Sequence, residues 1–198
     1  MDAGAQGEIE LTFDDGPHPV WTPAVLRALE AIGALATFYV VAPLARVHAP
    51  VVRRAAAAGH EIGLHCYEHV RHSSRERGEV ERDTDRALAV LAGLGVTPRR
   101  WRTPWGDTAG WSAAVAAERR LRIAGWSADT HDWRGDSWRS MLGRLEAGLR
   151  PGDVVLMHDG VGPGARRRGC RETVALLGPL AELARARGWS LGPRRGAG

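Results

Sequence analysis

Two kinds of hydrophobic pattern alternate along the chain. Short, nearly continuous apolar runs are followed by longer segments in which apolar residues recur every three or four positions. The first kind is typical of buried β-strands, and the second is typical of amphipathic helices. Strands that alternate with helices of about 10 to 15 residues indicate βαβ units. The pattern therefore predicts an α/β fold around a parallel sheet.

The boundaries of the predicted elements follow from these patterns. The predicted strands are 8–13, 36–41, 61–64, 100–102, 123–127, 154–157 and 190–191. The predicted helices are 23–32, 50–58, 79–94, 112–119, 138–149 and 172–187. Pro23 suits a first helical position, and Gly59 and Gly95 suit helix ends. Because we find no internal repeat and no linker, we expect one catalytic domain over residues 1–198.

Ionisable side chains recur at the ends of the predicted strands. Each of Asp14, His65, Arg102, Asp129 and His158 lies at or just after such an end. In barrels of parallel strands, the carboxyl ends of the strands carry the catalytic residues. We therefore expect these five residues to share one site.

Two of these segments contain candidate metal ligands. The adjacent carboxylates of Asp14 and Asp15 repel each other unless a cation offsets their charge, although the same residues also suit a solvated turn. His65 and His69 have the i, i+4 spacing that places two imidazoles on one face of a helical turn. Two histidines and one carboxylate are a common ligand set for catalytic zinc. Together, the two segments favour a metal site over two structural histidines.

Three further segments leave catalytic and structural interpretations open. Arg102 could keep a carboxylate ionised through a charge-assisted pair, or it could lie on the surface beside Trp105. The carboxylates of segment 129–133 could orient a histidine or cap a helix. His158 ends a buried strand, where it could act as a general acid or be a core histidine.

Composition narrows the class of protein. Hydrophobic residues make up 44% of the 198 residues and charged residues 25%, which is typical of a globular chain. No apolar run approaches the roughly 18 residues needed to cross a bilayer. The formal net charge is +4, and every basic side chain other than histidine is arginine. Arginines such as those at 166–168 and 194–195 are better explained as solvated surface than as a nucleic-acid site.

Other features of the sequence bear on its compartment. Cys66 and Cys170 form no CxxC pair and predict no disulfide framework. No basic region followed by an apolar stretch precedes the first predicted strand. We therefore expect a cytoplasmic protein if the chain begins at its native start, and a secreted one if a leader has been removed. The sequence gives no indication of the oligomeric state.

Five motifs together carry a family resemblance. In chain order they are TFDDGP (12–17), HCYEH (65–69), RTPWG (102–106), DTHDW (129–133) and VLMHDG (155–160). The ordered set resembles the polysaccharide deacetylases of carbohydrate esterase family 4, which contain the NodB-homology domain. The resemblance implies a distorted (β/α) barrel with about seven parallel strands.

The resemblance also implies an activity and a cofactor. It indicates a metal-dependent hydrolase that removes the N-acetyl group from an amino sugar or an N-acetylated glycan, giving an amine and acetate. Asp15, His65 and His69 would hold one divalent ion, with zinc preferred over cobalt, nickel or manganese. The expected partner is therefore a carbohydrate substrate, and we expect no nucleic acid and no membrane span.

The resemblance implies roles for the remaining site residues. Asp14 would be the general base, and Arg102 would hold it ionised. Asp129 would position His158, and His158 would protonate the leaving amine. The backbone near Trp105 would help to stabilise the developing oxyanion.

The resemblance also implies two residues that line the substrate pocket, and the sequence departs from the family pattern at one position. Trp133 and Leu156 would wall the pocket for the acetyl methyl group. Cys66 stands where the family usually has Ser or Thr. The loop that carries the metal ligands could therefore differ in shape, and the thiol could make the site sensitive to oxidation. We read it as a small buried packing residue.

Alternative functions remain at this point. The substrate could be a polymer or a soluble amino-sugar intermediate. A hydrolase of a non-sugar amide or imide on the same fold is the main alternative activity, and a non-catalytic binding domain is a further one. The complete set of site residues argues against both of these.

Overall fold

A computed structural model describes residues 7–192 of the protein. Its strands are Gly7–Asp14 (β1), Thr37–Val41 (β2), Glu61–Cys66 (β3), Arg100–Trp101 (β4), Arg122–Ile123 (β5), Ala128–Asp129 (β6), Val154–His158 (β7) and Trp189–Leu191 (β8). Its α-helices are Trp21–Ile32 (α1), Ala42–Val47 (α2), Ala49–Ala57 (α3), Arg77–Gly93 (α4), Ser112–Glu118 (α5), Trp138–Gly148 (α6) and Arg171–Ala186 (α7). The predicted domain over 1–198 stays a prediction, and Arg194 and Arg195 lie outside the described residues.

The strands form one parallel sheet with β1 at its centre. The order is β5-β4-β3-β2-β1-β7-β6, and β8 also pairs with β1. Every pairing among these strands is parallel. The two end strands, β5 and β6, do not pair with each other within residues 7–192, so the barrel is open on one side. The seven-stranded path confirms the predicted fold class.

The two faces of β1 show what fills the barrel. Ile9, Leu11 and Phe13 alternate along the strand and belong to the hydrophobic core beneath the helices. The intervening Glu10, Thr12 and Asp14 are also buried, and they lie on the opposite face because successive strand residues point to opposite sides. The interior of the barrel is therefore polar, and its buried groups need hydrogen-bond partners.

Two arginines supply partners for this polar interior. The Arg100 guanidinium donates to the carboxylates of Glu10 and Glu61. Arg102, one residue beyond β4, donates to Thr12 Oγ1 at 2.7 Å. The charge inside the barrel is thus paired in the way that buried ions require.

One predicted strand is wrong over most of its length, because only Ile123 of residues 123–127 lies in a strand. Within the predicted 123–127 strand, residues 124–127 join two separate short strands, β5 and β6. Ala and Gly are poor strand formers, and the carbonyls of Ala124 and Gly125 accept hydrogen bonds from Arg102. Arg102 therefore occupies the open side of the barrel.

Helix α2 was missed by the sequence analysis. Its six residues span fewer than two turns, which is too short for a helical period to be recognised. The other predicted helices are found with small shifts at their ends. No helix within residues 7–192 is long and apolar enough to cross a membrane.

Candidate active site

The turn after β1 brings two aspartates to the open end of the barrel. β1 ends at Asp14, which lies in register with His158 of β7. Asp15 has a left-handed backbone with φ of 69°, which Asp adopts more readily than most residues. The loop after β7 lies directly against this turn. A Cβ at Gly160 would come within 2.1 Å of Asp15 O, and one at Gly162 within 2.1 Å of Asp15 Oδ2.

Asp15 faces the two histidines that the sequence analysis paired with it. Its Oδ1 lies 3.3 Å from His65 Nε2 and 3.2 Å from His69 Nε2. One ligand atom from each of the three residues lies within 4.8 Å of the others. The buried Asp15 Oδ1 has no hydrogen-bond partner among the described residues. These donor atoms fit a divalent cation, which accepts such a carboxylate and imidazole set.

A backbone hydrogen bond prepares His65 for this role. His65 Nδ1 lies 2.7 Å from the carbonyl oxygen of Arg102. Because a carbonyl only accepts, Nδ1 carries the proton and the Nε2 lone pair of the neutral ring faces Asp15. A hydrogen bond of this kind commonly orients a metal-binding histidine.

The helical turn expected at His65 and His69 is not found. His65 belongs to β3, and His69 follows a bend at Tyr67 and Glu68. The expectation of proximity holds although its physical reason is wrong: an extended residue and a bend place the two rings 5.1 Å apart between centroids.

The electrostatics of the cluster are strongly coupled. Burial alone raises the pKa of Asp15, but the two facing imidazoles hold the pKa of that carboxyl well below its usual range. Burial lowers the pKa of His65, but the Asp15 carboxylate more than offsets this, and the pKa of His65 is raised. The Asp15 carboxylate thus favours positive charge beside it, which a bound cation would supply.

Arg102 and Asp14 form the second part of the site. Arg102 is fully buried, and its Nη1 donates to Asp14 Oδ1 at 3.0 Å. Its Nη2 donates to Gly125 O at 2.7 Å, and its guanidinium stacks over the Tyr39 ring at 4.2 Å. A guanidinium held on several sides presents a fixed charge to its carboxylate.

His158 is held by Asp132, and the expectation that Asp129 positions it is wrong. His158 Nδ1 donates to Asp132 Oδ1 at 2.7 Å. Asp132 Oδ2 also accepts hydrogen bonds from His158 N, Arg167 Nη1 and Thr173 Oγ1. Asp129 instead accepts from the His131 backbone at 2.7 Å. β6 ends at Asp129, and the 3₁₀ turn that follows carries Asp132 beneath β7.

The Asp132 carboxylate keeps His158 protonated. Burial lowers the pKa of His158, but Asp132, and then Asp14 and Asp15, raise it to about 9. The ring is therefore an imidazolium at neutral pH, with Nδ1 committed to Asp132. Its Nε2–H is the proton available to the cavity.

These groups open into one cavity of about 440 Å³. Its apolar walls are the side chains of Trp105, Trp126, Trp133 and Leu156. Trp105 has φ of 55°, which is rare for a bulky residue and is typically found at functional sites. Its ring packs edge-on against His69, with the centroids 4.2 Å apart. The structure therefore places Trp105, Trp133 and Leu156 at one cavity with the metal-ligand cluster.

Comparison with known proteins decides the family. A sequence model described as polysaccharide deacetylase matches residues 2–124 of the chain. A chitooligosaccharide deacetylase from Azorhizobium caulinodans is 33% identical over 196 residues, which cover 95% of this chain and 93% of the relative. The chain belongs to the polysaccharide deacetylase family.

Solved structures of family members have the same barrel. A family 4 carbohydrate esterase from Streptomyces lividans, in complex with acetate, superposes with a TM-score of 0.85 at 28% identity, over 96% of this chain and 94% of that one. A peptidoglycan N-acetylglucosamine deacetylase gives 0.87 at 29% identity, over 96% and 86%. The predicted family, its NodB-type barrel and its class of activity, hydrolytic N-deacetylation, are thereby confirmed.

The family's usual hydroxyl at position 66 is replaced here by a buried thiol. Cys66 is 3% exposed, and burial raises its pKa well above the usual range. A buried thiol that resists ionisation is a poor nucleophile and a poor target for oxidation. The prediction that Cys66 is buried is confirmed, and the predicted sensitivity to oxidation gains no support.

Several supporting residues escaped the sequence analysis. Trp126 follows a glycine in a segment interpreted as a strand, and only the close approach of its ring to Gly106 identifies it as a cavity wall. The buried Asp159 accepts a hydrogen bond from Thr22 Oγ1 and lies against Gly16. Burial raises the pKa of Asp159 to about 7. No sequence signal distinguishes these residues from ordinary turn and core positions.

Proposed function

We propose that the protein removes the acetyl group from an N-acetylglucosamine unit of an oligosaccharide, with zinc as its metal ion. One observation carries the proposal: three metal-type ligands, a carboxylate paired with Arg102 and an imidazolium paired with Asp132 all face one cavity. One relative is named a chitooligosaccharide deacetylase, and another, from Bacillus cereus, is named a peptidoglycan-N-acetylglucosamine deacetylase. Both names indicate a glycan substrate that contains this sugar.

Asp15, His65 and His69 would hold the ion. One carboxylate and two imidazoles leave positions for water and substrate, and zinc suits this mixture of oxygen and nitrogen ligands. When bound, such an ion polarises a carbonyl group and lowers the pKa of water.

Asp14 would act as the general base. Arg102 binds its Oδ1 and keeps the carboxylate oriented, so that Oδ2 can accept a proton from the attacking water. Arg102 itself is held by Thr12 and Gly125. The base therefore keeps its position while it gains a proton.

His158 would act as the general acid on the other side of the substrate. It is protonated at neutral pH, and Asp132 fixes its ring through Nδ1. Its Nε2–H would donate to the nitrogen as the carbon–nitrogen bond breaks, which makes the amine a good leaving group. A base and an acid that face one cavity can carry the two proton transfers.

The apolar walls would select the substrate. Leu156 and Trp133 would enclose the acetyl methyl group, and Trp105 and Trp126 offer flat faces for a sugar ring. A pocket of this kind discriminates only modestly among small acyl groups. We therefore expect slower release of propionate than of acetate, rather than none.

Acetate release by the purified protein tests the function. Short chitin oligomers and soluble N-acetylated amino sugars are supplied separately, with and without a chelator, and zinc is added back after chelation. We expect chelator-sensitive release from the oligomers that returns with zinc.

Each other outcome has a definite meaning. Release from the soluble amino sugars alone would replace the oligosaccharide with a small metabolite. If the zinc-loaded protein releases acetate from neither pool, the proposed sugar substrate is wrong, and a non-sugar amide becomes the better candidate.

A further inference from the structure

The bend between His65 and His69 has no regular structure of its own. β3 ends at Cys66, and Tyr67 and Glu68 form the bend that leads to His69. The position of the His69 ring relative to the His65 ring therefore depends on the contacts that hold these two residues.

A carboxylate from α4 holds the bend through its backbone. Asp83 Oδ2 accepts the N–H of Tyr67 at 3.0 Å, and Asp83 Oδ1 accepts the N–H of Glu68 at 2.8 Å. Both oxygens are used for consecutive backbone groups, and Asp83 forms no salt bridge within residues 7–192. Hydrogen bonds from N–H groups to a charged acceptor are stronger than those to a neutral one.

Packing beneath the bend is incomplete. A second cavity of about 250 Å³ lies there, lined among others by Cys66, Glu68, Val80 and Asp83. The Cys66 thiol forms no hydrogen bond within the described part of the chain. Tyr67 packs against the hydrophobic core, whereas Glu68 lines this cavity and receives less support from van der Waals contact. Polar contacts therefore carry more of the order in the second half of the bend.

Arg86 of α4 also contacts the bend, but these contacts are exposed. The Arg86 guanidinium lies 3.9 Å from the centre of the Tyr67 ring, and its Nη1 is 3.6 Å from Glu68 Oε1. Both charged side chains are 56% exposed, and pairs of this kind contribute little to stability. Asp83 is therefore the main polar anchor of the bend.

We propose that Asp83 is a positioning residue that presets the bend so that His65 and His69 can bind one ion together. The inference rests on the proposed role of these histidines as metal ligands. Without Asp83 the bend would have to be ordered when the metal binds, and metal affinity would fall. Loss of a residue that orients a metal ligand typically weakens binding by about 10- to 100-fold.

Zinc affinity measured by competition with a chromogenic chelator tests the proposal. The protein is stripped of metal and titrated as the unmodified chain, Asp83→Ala, Asp83→Asn and Asp85→Ala. Asp85 lies on the same helix, is 59% exposed and pairs with Arg119 at 2.6 Å, so its variant controls for loss of a carboxylate on α4. We expect Asp83→Ala to bind zinc 10- to 100-fold more weakly and Asp85→Ala to bind it normally.

The Asp83→Asn variant keeps the proposal testable if Asp83→Ala does not fold. An amide has one acceptor oxygen and can keep one of the two hydrogen bonds, so we expect an intermediate affinity. Normal zinc affinity in the folded Asp83 variants, or equal weakening in Asp85→Ala, would overturn the proposal. An unmodified protein that binds no zinc would instead overturn the proposed metal site, and this inference with it.

Discussion

Two histidines on opposite sides of the cavity use the same ring atom in different ways. His65 is the second-last residue of β3 and His158 is the last residue of β7, and each ring is fixed through Nδ1. The partner of His65 is the carbonyl oxygen of Arg102, whereas the partner of His158 is the carboxylate of Asp132. We call these the ligand side and the acid side of the site.

The charge of the partner separates the two roles. A carbonyl orients the ring without adding charge, so that Nε2 can offer its lone pair to a cation. A buried carboxylate stabilises the imidazolium and raises the pKa of His158 to about 9. The pKa of His65 is also raised, but the cause there is the neighbouring Asp15 carboxylate, whose charge a bound cation would neutralise. In the proposed site, one residue type would therefore serve as ligand or as acid according to what holds its far nitrogen.

The largest effect is expected on the ligand side. His65→Ala removes one of three ligands and should abolish stoichiometric zinc binding, with acetate release falling to the level of the chelated protein. Metal content and acetate release on the same preparations measure this. If this variant binds zinc and keeps full activity, His65 is not a metal ligand and the ligand side is not distinct from the acid side.

On the acid side, we expect a substitution to leave zinc bound while the rate of acetate release falls. His158→Ala takes away the proton donor, which typically lowers kcat by about 10²- to 10⁴-fold. Zinc content should stay equal to that of the unmodified protein because His158 lies outside the ligand cluster. If zinc is lost together with activity, the two sides are not separable.

A pH profile sharpens the assignment of Asp132. His158 must be protonated to donate, so activity should decline as pH rises through its pKa of about 9. Asp132→Asn removes the main charge that raises this pKa, and the alkaline limb should move toward about pH 6.5. Asp129→Asn is the matched control and should leave the limb in place. A shift in the Asp129 variant alone would restore the original assignment.

The smallest effect is on the stability of the chelated protein. The folded pKa of His158, about 9, lies above the ordinary value of 6.5, so its pairing stabilises the fold fully below pH 6.5. This contribution is lost as pH rises through 9, and it amounts to roughly 3 kcal/mol at most. Asp159 titrates in the same direction near pH 7, so the comparison must be with Asp132→Asn. Urea unfolding at pH 6 and 9.5 should show a smaller loss in that variant than in the unmodified protein.

The ligand side could be predicted from sequence because its signals are local. Asp14 and Asp15 follow one apolar run, and His65 and His69 follow another, so the strand ends alone indicate a shared edge. The carboxyl ends of parallel strands then bring these residues together whatever the exact turn geometry. This is why an incorrect helical turn between the histidines still led to the right neighbours.

The acid side could not be predicted in the same detail. The strand-end rule selects Asp129, the last residue of β6, whereas the partner of His158 is three residues further on, in a 3₁₀ turn. Asp132 is held there by Arg167 and Thr173, contacts across the fold that no local pattern contains. Asp83 was missed for the same reason. Its place in an amphipathic helix predicts an ordinary surface residue, and its contacts with the bend are not visible in the local sequence.

The central place of β1 has a consequence for synthesis on the ribosome. β1 is made first, but two of its three partners, β7 and β8, are made last. At synthesis rates of about 5 to 20 residues per second, the edge of β1 that receives β7 stays unpaired for on the order of ten seconds. A nascent chain that stops before β7 carries an unpaired strand edge, which is prone to join another chain. Productive folding therefore depends on protecting that edge until Val154–His158 has emerged.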